Sequence, residues 1–156
     1  VLINMGKSSS PKRIERGFSE DHRGSIEYFN DVDLSKYKRF YIVNNPVQGT
    51  VRAWHGHQKE AKLIKVLEGV FLVGSVAIDK WDKPSESLKP ELYEIQENSD
   101  LLYIPPGYAN GAMNLVPESR IVYFSTSNLE ESIEDDYRFD SKLWDPWTSR
   151  GGVIFE

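Results

Sequence analysis

A chain of 156 residues, 39% hydrophobic and 12% aromatic, is long enough for one buried core and short for two. Its 24 acidic against 19 basic residues leave a formal charge of -5, which argues against nucleic acid or anionic membranes as general partners. With 0 cysteines, disulfides, thiolate catalysis and zinc–thiolate sites are excluded together.

In chain order, the first segment contains Lys7-Ser-Ser-Ser-Pro-Lys-Arg13, a polar stretch unlike a signal peptide. Residues 1–17 therefore read as a flexible lead. No apolar run approaches the roughly 18 residues that would span a bilayer, so the expected compartment is the cytoplasm. From residue 38 onward, short β-type runs alternate with turn residues: 39–43, 62–67, 70–78, 92–95, 101–104 and 120–124. That spacing predicts an all-β barrel or double sheet within one domain, residues 1–156. Gly69 divides two runs and predicts a hairpin turn, while the proline-flanked segment 79–90 predicts a surface loop. Residues 127–136, with acidic side chains near their start, predict a short helix after the last strand.

The segment from Gly49 to Gly69 carries the most chemistry: five residues, His55-Gly-His57, four residues, Lys62, then six residues to the second glycine. On a strand, residues two apart share a face, so the two imidazoles project together, with Arg52 on the adjacent face unless the strand bends. A second segment reads Pro105-Pro-Gly107-Tyr-Ala-Asn110-Gly-Ala-Met-Asn114. The two spacings resemble the metal-binding motifs of the cupins, with Lys62 where a glutamate ligand stands and Asn110 where a third histidine stands. Two ligands of the usual four are too few for a stable zinc or iron site. The expectation is organic acid–base chemistry with no metal and no cofactor.

Each residue also has a structural reading. His55 and His57 fit as hydrogen-bonded barrel residues, and His57 as an orienter of His55 or a cavity wall. Lys62 fits a solvated strand position or an oxyanion-stabilising one. Tyr123 fits an aromatic core position, Asp140 a surface or capping residue, and Asn110 a turn residue or a hydroxyl partner. Trp144 and Trp147 fit core or dimer packing, with base stacking as the alternative.

From about residue 18 to 147 the chain resembles the cupin-type nucleotide-sugar epimerases of the dTDP-4-dehydrorhamnose 3,5-epimerase family. The resemblance runs through Asp21-His-Arg23-Gly24, Val51-Arg52-Ala-Trp-His55, Lys62-Leu, Val76-Ala-Ile-Asp79, Ile104-Pro-Pro-Gly-Tyr-Ala109, the strand with Tyr123, and Phe139-Asp140. It implies a cupin jelly-roll barrel with a short C-terminal helical segment and a nucleotide-diphosphate sugar as substrate. It also implies a homodimer, in which the N-terminal lead is exchanged and Arg23 completes the partner's site. The roles it implies are His55 as base, Asp140 as its orienting carboxylate, Tyr123 as acid and Lys62 as oxyanion stabiliser. Arg23 and Arg52 would contact the diphosphate. From the residues themselves, His57 and Asn110 join the substrate-binding candidates. Departures lie at Asn110 and at Asn128-Leu129, where the family has a histidine and a tandem aromatic. A second resemblance, through Arg23-Gly-Ser-Ile26, Lys38-Arg-Phe-Tyr-Ile42 and His55-Gly-His57, is to nucleotide-sugar 3,4-ketoisomerases. A sugar-binding cupin without catalysis is the third reading.

Overall fold

The computed structural model describes residues 9–155. Its strands are β1 (Lys12–Ile14), β2 (Gly17–Asp21), β3 (Gly24–Tyr28), β4 (Arg39–Asn45), β5 (Val51–His57), β6 (Lys62–Glu68), β7 (Val70–Ala77), β8 (Glu91–Gln96), β9 (Leu101–Ile104), β10 (Tyr108–Asn114), β11 (Ser119–Ser125) and β12 (Tyr137–Arg138). The one α-helix among the described residues, α1 (Leu129–Glu134), lies between the last two, and short 3-10 turns stand at Leu34–Lys36 and Thr148–Arg150. Two antiparallel five-stranded sheets, ordered β1-β9-β6-β11-β4 and β12-β5-β10-β7-β8, form the jelly roll that the resemblance implies, and the hairpin β2-β3 stands apart from both.

The inner core is built from facing residues of the two sheets: Ile64, Val66, Ile121 and Tyr123 from one, Phe71, Val73, Ile95 and Ala112 from the other. A second apolar layer covers the outside of the β7-containing sheet, where Val51, Trp54, Leu72, Val76 and Met113 meet Trp147 and, partly buried, Trp144 from the C-terminal segment. Strand β7 is thus covered on both faces, which is why it reads as a nearly unbroken apolar run rather than as an alternation. Gly74 and Gly111 face each other across β7 and β10. A methyl at Gly111 would stand 2.5 Å from Ala53 Cβ and 3.1 Å from the Trp147 indole, and one at Gly74 would stand 2.9 Å from the Trp54 indole. The two tryptophans occupy the room that the missing side chains leave.

Most predicted runs are strands with ends within a residue or two of those expected. Gly69 makes the β6-β7 turn with φ +78, as its freedom at positive φ allows. Helix α1 falls inside the predicted span, opened by a capping box between Asn128 and Glu131. Segment 79–90 connects β7 to β8 without a strand, held by a 2.8 Å hydrogen bond from Trp144 Nε1 to the Ser85 carbonyl. Three features differ. The turn at Pro105–Gly107 leads straight into a seven-residue strand, β10. Residues 17–28 form a hairpin that no alternation announced. The expectation of a flexible lead is corrected for residues 12–14, which hydrogen-bond to β9 of their own barrel; residues 1–8 lie outside the described residues.

Candidate active site

A cavity of about 430 Å³ is walled by β4, β5, β6, β10, β11, α1 and β12. Strand β5 contributes Arg52, His55 and His57. Simple alternation puts Arg52 on the opposite face from His55, but the pairing with β10 slips between Asn110, opposite His55, and Ala112, opposite Arg52. This bulge gives β5 one extra residue and turns Arg52 back to the cavity side. Its Nε donates to Asn45 Oδ1 at 3.0 Å.

Burial lowers the pKa of His55 from 6.5 to about 4, with further lowering from the nearby cations of Arg138 and Lys62. The ring is therefore neutral near pH 7, as a general base must be. Tyr123 is shifted the other way: burial, and then Tyr41 beside it, raise its pKa above the ordinary 10. It is a phenol throughout the physiological range and can only give a proton. The rings of Tyr41 and Tyr123 stack at 5.3 Å between centroids. Lys62, 6% exposed, donates from Nζ to Tyr41 Oη at 2.5 Å and stands 5.6 Å from the centre of the Tyr123 ring. A base, a protonated acid and an ammonium thus share one wall system, which is the equipment for removing and returning a proton through an enolate.

Beneath them lies a buried carboxylate. Glu60 Oε2 is 3.0 Å from His57 Nε2 and 3.7 Å from Lys62 Nζ. Oε1 accepts from Ser125 Oγ and, at 3.4 Å, from Arg39 Nη2. The His57–Glu60 contact has ion-pair distance without the alignment of a hydrogen bond. The other ring nitrogen of His57, Nδ1, lies 2.7 Å from the Asp135 carbonyl oxygen and must carry the hydrogen, since a carbonyl only accepts. The Asp135 carboxylate in turn accepts from the backbone N–H groups of Gln58, Lys59 and Glu60 at 2.8, 2.9 and 3.0 Å, fixing the turn between β5 and β6.

Of the residues picked from sequence, His55, His57, Lys62, Arg52, Asn110 and Tyr123 line this one cavity. Asn110 Nδ2 donates to the His55 carbonyl at 3.4 Å. Two do not join them. The expectation that Asp140 orients His55 is corrected: its carboxylate is exposed and accepts from Lys142 N at 2.8 Å, capping a turn. The carboxylate on the cavity wall is Asp136, which is paired with Arg138 at 3.1 Å and whose charge acts on His55. Arg23 sits at the tip of the β2-β3 hairpin, 77% exposed and 2.6 Å from Asp21, away from its own chain's cavity. Sequence reasoning missed Arg39, Tyr41, Glu60, Asp136 and Arg138. A signal for the first two existed: β4 alternates Arg39, Tyr41 and Val43 inward with Phe40 and Ile42 outward, the reverse of a strand that simply packs a core.

A sequence model described as dTDP-4-dehydrorhamnose 3,5-epimerase matches residues 11–149. The chain belongs to that family. It is an enzyme of the isomerase class, in a family of nucleotide-sugar epimerases. Among solved structures of family enzymes, the chain is similar to dTDP-4-dehydrorhamnose 3,5-epimerase from Bacillus anthracis, solved with TDP and pyrophosphate, at 22% identity and TM-score 0.73 over 94% of this chain and 95% of that one. The epimerase from Sulfolobus tokodaii is 26% identical, with TM-score 0.69 over 89% and 81% of the two chains. A ketoisomerase shares the fold too: the QdtA 3,4-ketoisomerase from Thermoanaerobacterium thermosaccharolyticum, solved with TDP, is 18% identical with TM-score 0.66 over 83% and 88%. Among curated proteins, none matches the chain.

Proposed function

We propose that the protein inverts C3, C5 or both in an NDP-4-keto-sugar by acid–base proton transfer without a metal. The observation that carries this reading is the shared cavity of a neutral His55, a protonated Tyr123 and the Lys62 ammonium. His55 removes the proton beside the ketone, Lys62 holds the developing enolate oxygen, and Tyr123 returns a proton from the other face. Arg52, with Arg39 and Arg138, supplies the cationic surface for a diphosphate, while Asn110 offers an amide to a sugar hydroxyl. Metal independence rests on the donor set. Lys62 places an ammonium where a cupin carboxylate ligand would stand, and among the described residues no group of three or more His, Cys, Asp or Glu is arranged to hold an ion.

The active form in this reading is a homodimer. Strand β4 is a sheet edge, and its outward Phe40 and Ile42 are 62% and 43% exposed. The hairpin carrying Arg23 also exposes Ile26, at 63%. An uncovered apolar edge of this kind suits a second copy, which would bring Arg23 toward the neighbouring cavity. The cytoplasm, where nucleotide sugars are made, is the compartment that fits; among the described residues no helix is long and apolar enough to cross a membrane.

The test is incubation with several nucleotide 4-keto-sugars in deuterated water, following deuterium at each ring carbon. Deuterium at C3 or C5 with inversion is the expected result. Transfer of the keto group from C4 to C3 without inversion would give the protein to the ketoisomerases, and no exchange with any substrate would leave a binding protein.

A further inference from the structure

The proton-transfer scheme leaves Glu60 without a task, although it is the most enclosed charged side chain of the site, with none of that side chain accessible. A carboxylate is not taken out of water unless cations and donors replace the lost hydration. Here four groups from four parts of the fold do so: Arg39 of β4, His57 of β5, Lys62 of β6 and Ser125 of β11. Ionisation is strongly favoured, the pKa being held at about 2 by His57, Lys62 and Ser125 against the cost of burial.

The same contacts bear on the two partners. Lys62 is as enclosed as His57, with side chains 7% and 6% exposed. The groups facing its ammonium are Glu60 from the preceding turn, the Tyr41 and Tyr123 phenols of β4 and β11, and His55 of β5. Only Glu60 among these carries negative charge. A buried ammonium without an anion sheds its proton, and a neutral amine would not hold an enolate. His57 meets an acceptor at each ring nitrogen, the Asp135 carbonyl at Nδ1 and the Glu60 carboxylate at Nε2. That arrangement leaves no lone pair directed at the cavity.

We propose that Glu60 is a positioning residue: its carboxylate keeps Lys62 protonated and aimed at Tyr41, and pins His57 by Nε2 so that His57 is a strut of the cavity floor and takes no part in proton transfer. The proposal rests on the epimerase reading for the use made of Lys62, whereas the charge arrangement itself can be measured without substrate.

The experiment uses NMR on full-length protein carrying ¹³C-lysine and ¹⁵N-histidine, with the signals assigned from Lys62→Arg and His57→Asn. In the wild type, His57 Nδ1 should carry a hydrogen, as its contact with the Asp135 carbonyl requires, and the signal of Nε2, which faces the carboxylate, should move in Glu60→Gln. In Glu60→Gln the Lys62 signal should titrate at lower pH than in the wild type, because the anion 3.7 Å from its ammonium is gone, and Glu60→Asp, which keeps the charge, should move it by less. Where substrate turns over, the alkaline fall of kcat should shift with the Lys62 signal. A His57 Nε2 signal or a Lys62 titration unmoved by Glu60→Gln overturns the proposal. Should Glu60→Gln not fold, the same two signals are followed in Glu60→Asp, whose shorter side chain draws the carboxylate back from both partners: a smaller movement of both is expected, and none in either overturns the proposal. Failure of every 4-keto-sugar to exchange deuterium would remove the epimerase reading and leave these titrations standing.

Discussion

Tyr41 Oη accepts a 2.5 Å hydrogen bond from Lys62 Nζ, and the ring that carries this hydroxyl lies flat against Tyr123, at an interplanar angle of 15°. One side chain therefore locates both the cation and the acid. Replacing Tyr41 with Phe should keep the stack and remove the acceptor. We expect kcat to fall about tenfold, corresponding to the roughly 1–1.5 kcal/mol of one hydrogen bond, with little change in melting temperature. Steady-state kinetics beside thermal denaturation checks this, and unchanged kcat would show that Lys62 is placed without Tyr41.

The division of labour between the two faces of the sugar is tested by His55→Asn and Tyr123→Phe. Loss of a general base costs about 10²- to 10⁴-fold, so His55→Asn should lose solvent exchange and turnover together. Tyr123→Phe should retain exchange and lose inverted product. A fully active Tyr123→Phe beside an inactive His57→Asn would replace the epimerase by the ketoisomerase.

Acid sensitivity follows from His55. Its pKa is about 4 in the folded chain against 6.5 ordinarily. A lowered histidine contributes stability that is complete above its unfolded value and is lost as pH falls from about 6.5 toward 4. Glu60, lowered from 4.5 to about 2, contributes above its ordinary value and is lost as pH falls from about 4.5 to 2. Urea denaturation across pH 7 to 4 should show declining stability, and His55→Gln should flatten the upper part of that decline. In the free enzyme, kcat/KM should hold to about pH 5 and fall through about pH 4.

The outer layer offers a test of packing. At Gly111 an added methyl meets Ala53 and the Trp147 ring, both on well-packed elements, so Gly111→Ala should cost about 1–3 kcal/mol through overpacking. Chemical denaturation measures it. A neutral result would mean that the C-terminal segment shifts aside without loss.

How far the sequence leads depends on the kind of constraint. Strand runs such as Leu101–Ile104 were legible because β-branched and aromatic residues between turn residues have few other folds available, and the two glycines around His55-Gly-His57 located β5 and β6. The hairpin of β2-β3 was not legible, because its residues are largely exposed and carry no hydrophobic alternation. In the site, six residues came from motif positions. The return of Arg52 to the cavity depends on a bulge, which has no reliable sequence mark. Glu60 was hidden for a different reason: a glutamate in a polar turn reads as solvated until the third dimension brings Asp135, Ser125 and Arg39 around it.

The aromatic layer outside the β7 sheet has an optical consequence. Three of the 4 tryptophans belong to it, Trp54 touching Trp144 and Trp147, and Phe139 links Trp144 to the fourth, Trp81. The cavity wall carries none of them and is lined instead by Tyr41 and Tyr123. Emission excited at the indole band accordingly reports mainly whether the C-terminal segment is seated on the barrel, with Trp81, packed on Tyr137 beside the cavity residues Asp136 and Arg138, as the one indole near the site. Ligand occupancy is read most directly from the tyrosines of the wall, Tyr41 and Tyr123, in the same unlabelled sample.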